Sequence, residues 1–218
     1  MNNYTVDFSS KIKQQAIDAV IFGPMSDDLE EKSRQESSIL PYKSIEYLPF
    51  PLNSSEETAS ELNVIRLAQS AEPEWHTGEY KNKLDKDFLS IFTDYLDDLN
   101  LDYNKDYISH VLEDLGPTIL QLKKMYNRPR PERLAQYHGI KIKVDPTSTA
   151  KTPAYPSGHS FQGRVIETIL TKQHPIHKNI FRSISERISL ARILRGLHFP
   201  SDVRFSNFIV DKYLSQKL

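Results

Sequence analysis

Tyr155-Pro156-Ser157-Gly158-His159-Ser160 runs directly into Phe161, Val165, Ile166, Ile169 and Leu170, and the run stops at His174-Pro175. The apolar residues fall at helical spacing, so this is a small-residue turn feeding a helix. Pro156 stiffens the approach, and Gly158 lets the backbone come close to a ligand. Unpaired N–H groups at a helix N-terminus, together with the Ser157 hydroxyl, form an anion seat. His159 stands beside that seat. A bound dianion favours its protonated form, which places it to give a proton to a leaving oxygen.

Downstream, Ile180, Ile184, Ile188 and Ala191 mark a further helix that Gly196 stops. The next stretch holds Arg192, His198 and Asp202, with Ser201 as the expected cap of a last helix through Val203, Phe208, Ile209 and Tyr213. A carboxylate behind one imidazole nitrogen fixes the tautomer and presents the other nitrogen as a lone pair. His198 held in this way is a general base, a nucleophile or a metal ligand. The Arg192 guanidinium suits two oxygens of a tetrahedral anion.

Upstream, Lys123-Lys124-Met125-Tyr126-Asn127-Arg128-Pro129-Arg130-Pro131 adds cations. Pro129 and Pro131 bracket Arg130 and lower the entropy lost in aiming it. Lys123, Arg130 and Arg192 together can balance a phosphoryl group whose charge spreads over its equatorial oxygens. Arg128 and Arg195 read as surface groups or as supports behind the site, and Tyr126 and Tyr155 as packing. His174 and His177 flank a proline, and His76, His110 and His138 have no partner visible in the sequence.

The remainder is helical with long connections. Residues 11–22 predict a short helix ending at Gly23-Pro24, and Ser26 to Ser37 a solvated loop or exposed helix. Tyr47 to Leu52 is extended by its prolines. Residues 53–58 predict a capped helix start, followed by a stripe of Leu62, Ile65 and Leu67. Phe88, Ile91, Phe92, Tyr95, Leu96 and Leu99 predict an amphipathic helix. Tyr107, Val111 and Leu115 mark the next, kinked or restarted at Gly116-Pro117. Residues 132–155 predict a long loop, most flexible from Pro146 to Lys151, and Ile140 to Val144 is the one candidate strand. The 218 residues carry a net charge of -1 and no cysteine, which excludes disulfides and thiolate metal sites and gives no reason to expect nucleic acid as a partner. No run is long and apolar enough for a membrane span, and Met1 to Asp18 lacks the apolar core of a signal peptide, so a soluble, cytoplasmic protein is expected.

Lys-x6-Arg-Pro, Pro-Ser-Gly-His and Arg-x5-His-x3-Asp, in this order, resemble the signature of the type 2 phosphatidic acid phosphatase superfamily. That superfamily includes soluble class A bacterial acid phosphatases and vanadium-dependent haloperoxidases. The residues that carry the resemblance are Lys123, Arg130 and Pro131; Pro156 to His159; and Arg192, His198 and Asp202. One departure is Ala191, where the family usually has Ser. Residues 48–58 also resemble the proline-rich approach and helix cap of soluble members. The resemblance implies an all-α, single-domain helical bundle of the phosphatase/haloperoxidase type with long loops, divided into an N-terminal segment 1–83 packing on a catalytic core 84–218. It implies a soluble, metal-independent phosphoric monoester hydrolase acting on a small phosphoester. His198 would be the nucleophile that forms a phosphohistidine, with Asp202 orienting it. His159 would serve as acid and then base, and Lys123, Arg130, Arg192, Ser157 and Gly158 would hold the phosphoryl oxygens. No cofactor is expected; vanadate would act as an inhibitor, or as the prosthetic group of the alternative, a haloperoxidase. A non-catalytic helical binding module is the other alternative, and a homodimer is compatible with either.

Overall fold

Caps and apolar spacing set where the helices run. The structure is a computed structural model that describes residues 8–145 and 147–218. Met1 to Asp7 of the N-terminal segment, and Pro146 in the tip expected to be most flexible, lie outside the described residues. The helices are α1 (Phe8–Asp18), α2 (Asp27–Lys32), α3 (Glu56–Ser70), α4 (Gly78–Lys86), α5 (Phe88–Asp98), α6 (Lys105–Tyr126), α7 (Pro131–Ala135), α8 (Gly158–Gln173), α9 (Lys178–Leu194) and α10 (Pro200–Ile209), which continues into a π turn, Val210–Leu214. The fold is the expected all-α one, and no strand occurs among the described residues.

The candidate strand at 140–144 is instead a single extended segment. Its backbone partners are side chain and loop rather than another strand: Gln69 bonds both the N–H and the C=O of Lys143, and Asp145 N–H donates to Arg195 O. Gly196 makes this approach work. It has φ +70, and a Cβ there would stand 2.3 Å from Lys143 O, so no other residue fits. The first helix ends at Asp18 rather than Phe22, because Phe22 N–H donates to Asn127 O and the chain is already pairing with the end of α6. α6 runs through Gly116-Pro117 as one helix, capped at its start by Asn104 and closed by Asn127 in the left-handed conformation. The long loop is shortened by α7, which begins with Pro131 at its first position. α10 begins two residues earlier than expected. Phe199 is its cap position, and Asp202 accepts the Phe199 N–H, so Ser201 is not the cap.

The core forms where α8 and α9 pack against α5, α6 and α10. Phe161, Val165 and Ile166 meet Phe92, Val111, Leu115, Phe181, Ile188 and Ile209 there. Gly163 permits a close approach of α8 to α9, since a Cβ would lie 3.3 Å from Ile188 Cδ1. Ala191 is buried in this core. A smaller cluster of Leu62, Ile65, Leu134 and Phe199 fastens α3 to α7 and the start of α10. Leu67, expected in the α3 stripe, is exposed, and so is Leu99; the buried face of α3 is Thr58, Glu61, Leu62 and Ile65. Among the described residues, no helix is long and apolar enough to cross a membrane.

Candidate active site

The bends that end α6, precede α8 and precede α10 bring the three motifs together. Asn127 turns the chain out of α6, so that Arg128 enters the interior and Arg130 follows in extended conformation before α7. Arg130 Nε donates to Thr152 O at 2.9 Å and Lys123 Nζ to Pro153 O at 2.6 Å, which ties the first motif to the approach of the second. Ser157 N–H donates to Asp202 O at 3.2 Å, and the Ser206 hydroxyl reaches both Ser157 O and Asp202 O at 2.8 Å. The second and third motifs are therefore bonded backbone to backbone.

His198 is 2 % exposed. Its Nδ1 lies 3.1 Å from Asp202 Oδ2, and Arg130 Nη1 lies 2.8 Å from its Nε2. A guanidinium only donates, so Nε2 is the acceptor and carries the lone pair, while Nδ1–H donates to Asp202. Asp202 in turn accepts from Phe199 N–H at 2.8 Å and from Arg128 Nη1 at 2.6 Å. Burial pushes the Asp202 carboxyl up, and Arg128 and the Phe199 amide oppose it. Arg128 is no surface group. It is fully buried, donates to Ser201 and Glu61 as well, and lies 3.9 Å from the centre of the Phe199 ring and 4.9 Å from that of Phe50.

His159, one residue inside α8, packs on Phe88, and its Nε2 lies 2.8 Å from Asp85 O. A carbonyl only accepts, so Nε2 carries the proton. Burial, then the Arg192 charge, hold His159 down at about 3. Burial and the charges of Arg130, Lys123 and Arg192 hold His198 well below the usual histidine value. Lys123 and Arg192 act on both rings, so these cations lie between or beside them. Burial, then Arg130, push Lys123 down too, and burial brings Arg130 to about 10. Ser157 caps α8: its Oγ accepts from Ser160 N–H and Ser160 O–H, which leaves its own O–H free to donate. Gly158 lies beside Lys123 Cε, 3.9 Å from where a Cβ would stand.

Asp85 is a member of this site that the sequence reading missed. It stands near the end of α4 and pairs with Arg192 Nη1. Thr149 donates to it at 2.9 Å, Thr147 donates to its other oxygen, and Arg195 approaches to 3.8 Å. Burial alone would raise Asp85, but the Thr147 hydrogen bond, the Arg192 charge and the Thr149 hydrogen bond outweigh it and hold it at about 2. Arg192 Nη2 also reaches Thr149 at 3.2 Å, while Arg192 Nε, buried, has no partner among the described residues. Lys123, Arg130 and Arg192 thus gather at one place, with Asp85 paired to Arg192 and Arg128 held between Asp202 and Glu61. Such a cluster suits an anion.

The remaining histidines have structural partners where one is resolved. His76 bonds Glu72, His138 lies against Asn53 O, His174 against Asp102 O, and His177 against the Tyr95 hydroxyl. Tyr126 and Tyr155 pack: Tyr155 stacks on Phe205 at 4.6 Å, and the two hydroxyls bond the backbone of Leu48. Arg195 is buried beside Asp85 and Asp145.

Two neutral imidazoles, His198 buried and His159 partly buried, make stability depend on pH. Their folded pKa values lie below 6.5, so the unfolded chain binds more protons as the pH falls below that value, and stability is lost with acid. For His159, held at about 3, the loss by pH 5 is about 2 kcal/mol. Thermal melts between pH 7 and 5 should show a falling Tm, and His159→Gln should flatten that slope. An unchanged slope in the variant would show that His159 is not held neutral.

The PAP2 superfamily model matches residues 108–209, from the first turn of α6 to the last residue of α10, and all three motifs lie inside that match. A comparison with curated proteins finds none that matches the chain. Residues 108–209 of this chain, with the three motifs that converge on His198, belong to the PAP2 superfamily.

Proposed function

We propose that the protein is a metal-independent phosphatase of the soluble kind that hydrolyses phosphate monoesters through a phosphohistidine on His198. The observation that carries this reading is the His198 ring, fixed by Asp202 with its lone-pair nitrogen turned toward Arg130 in a cluster of cations. Phosphatase-type chemistry is what PAP2 membership suggests, and these cations supply charge that a metal ion supplies elsewhere.

Substrate oxygens would take over the donors of Arg130 and Lys123, the unpartnered Arg192 Nε, the Ser157 hydroxyl and the amides at the start of α8. Releasing Arg130 from Nε2 uncovers the nucleophile. Nε2 then attacks phosphorus as the bond to the alcohol oxygen breaks. The dianion reverses the local field that holds His159 down, and so favours its protonated form. Protonation adds an N–H at Nδ1, the nitrogen not committed to Asp85, and that proton goes to the leaving oxygen. In the second step His159 takes a proton from water, the water attacks phosphorus, and the P–N bond breaks to release phosphate and free His198. The first step needs His198 neutral and His159 protonated, which gives a bell-shaped rate profile on the acidic to neutral side.

A panel of phosphomonoesters, nucleotides and pyrophosphate, assayed with and without chelator, tests the reading. Hydrolysis of monoesters that persists with chelator, and inhibition by vanadate as a mimic of the five-coordinate transition state, are expected. Absence of hydrolysis across the panel would contradict it, and vanadate-dependent oxidation of halide by peroxide would favour a haloperoxidase instead.

A further inference from the structure

One cavity of about 250 Å³ opens beside the site, and its position relative to the two histidines identifies which part of a substrate it takes. His159, Gly158 and Lys123 form its inner wall, whereas His198 does not line it. In an in-line displacement the leaving oxygen departs opposite the nucleophile, on the side of the acid. The space beyond His159 is therefore the leaving-group side. Its outer wall is mostly apolar: Leu29 of α2, Leu112, Leu115, Ile119 and Leu120 of α6, and Phe161 of α8, with Lys32 and Gln162 as its polar members. Thr149 and Thr152 also line it, but their polar atoms are engaged by Asp85 and Arg130.

The volume limits the occupant. It falls below the range of about 300–1,000 Å³ typical of pockets for drug-sized ligands. At interior packing density it holds on the order of ten to fifteen non-hydrogen atoms. We infer that the preferred substrate is the phosphate monoester of a compact apolar or aromatic alcohol, with the phosphoryl group between the histidines and the alcohol's hydrocarbon part against α6. This rests on the phosphatase reading of the site.

The test is kcat/KM for methyl, phenyl and naphthyl phosphate, with glycerol phosphate and a nucleoside monophosphate for comparison. Leu112→Gln and Leu120→Gln supply the variants. Both leucines are only half-buried, and Gln keeps the chain length and helix propensity, so the fold is retained. In the wild type, kcat/KM should rise from methyl through phenyl to naphthyl, and naphthyl should exceed glycerol phosphate by about tenfold or more. Each variant should lower the naphthyl value by about tenfold and leave methyl phosphate within about twofold. Equal wild-type values for apolar and polar esters, or variants that shift every ester alike, would overturn the leaving-group assignment while the phosphatase reading stands. Failure of the wild type to hydrolyse any of these esters would overturn both.

Discussion

His198→Ala should fold, still bind phosphate, and lose turnover by about four orders of magnitude or more. Binding survives because Lys123, Arg130, Arg192 and the start of α8 are untouched. Asp202 keeps its Arg128 and Phe199 partners after the ring is removed, so the support behind the site remains intact. Chemistry fails because nothing else in the cluster offers a nitrogen lone pair held in place by a carboxylate. Steady-state kinetics on a monoester, with phosphate affinity measured separately, checks both halves. Phosphatase activity retained in the variant would discard the mechanism.

Arg128→Met should cost about 3–5 kcal/mol of stability, the usual loss when one member of a buried ion pair is removed. Arg128 compensates two buried carboxylates, Asp202 and Glu61, and its guanidinium is packed between Phe50 and Phe199. Met fills much of the volume but leaves Asp202 without its direct ion pair in the interior. Glu61 is less affected, because Arg204 reaches it at 3.1 Å and Ser201 bonds both of its oxygens. The loss should therefore shrink when Asp202→Asn is added. Urea unfolding of the single and double variants reads this directly. A single variant within about 1 kcal/mol of the wild type would mean that the pair does not support His198 in the way described.

The motifs were legible because each packs its chemistry into a few consecutive residues. Helices α5, α8 and α9 were legible from their apolar spacing. Glu61 and Arg128 were harder to see. Glu61 stands one residue before Leu62, on the buried face of α3, and a charged residue there reads as solvated until its partner is known. Arg128 lies within a cationic run that, by sequence, belongs at an exposed helix end. Only the left-handed turn at Asn127 sends it inward.

Asp85 was missed for a different reason. α4 is mostly charged and buries only Leu84 and Asp85, so it carries almost no periodic signal. A trace existed. Leu84, Phe88, Ile91 and Phe92 fall at helical spacing and extend the α5 stripe upstream, although Asp87 breaks the two helices apart. What no spacing could give is that Asp85 meets Arg192, a residue far along the chain on α9. The strand expected at 140–144 failed for the same kind of reason. Alternation was present, but the partner was the Gln69 side chain.

The most direct measurement is the site of covalent phosphorylation during turnover. The protein is mixed with a monoester, quenched within milliseconds under alkaline conditions that preserve a phosphorus–nitrogen bond, and mapped by mass spectrometry. The phosphoryl group should be found on His198, and His159→Ala, which slows the second step, should raise its occupancy when the ester carries a good leaving group. A label on any other residue, or turnover without a labelled protein under these conditions, would contradict the account.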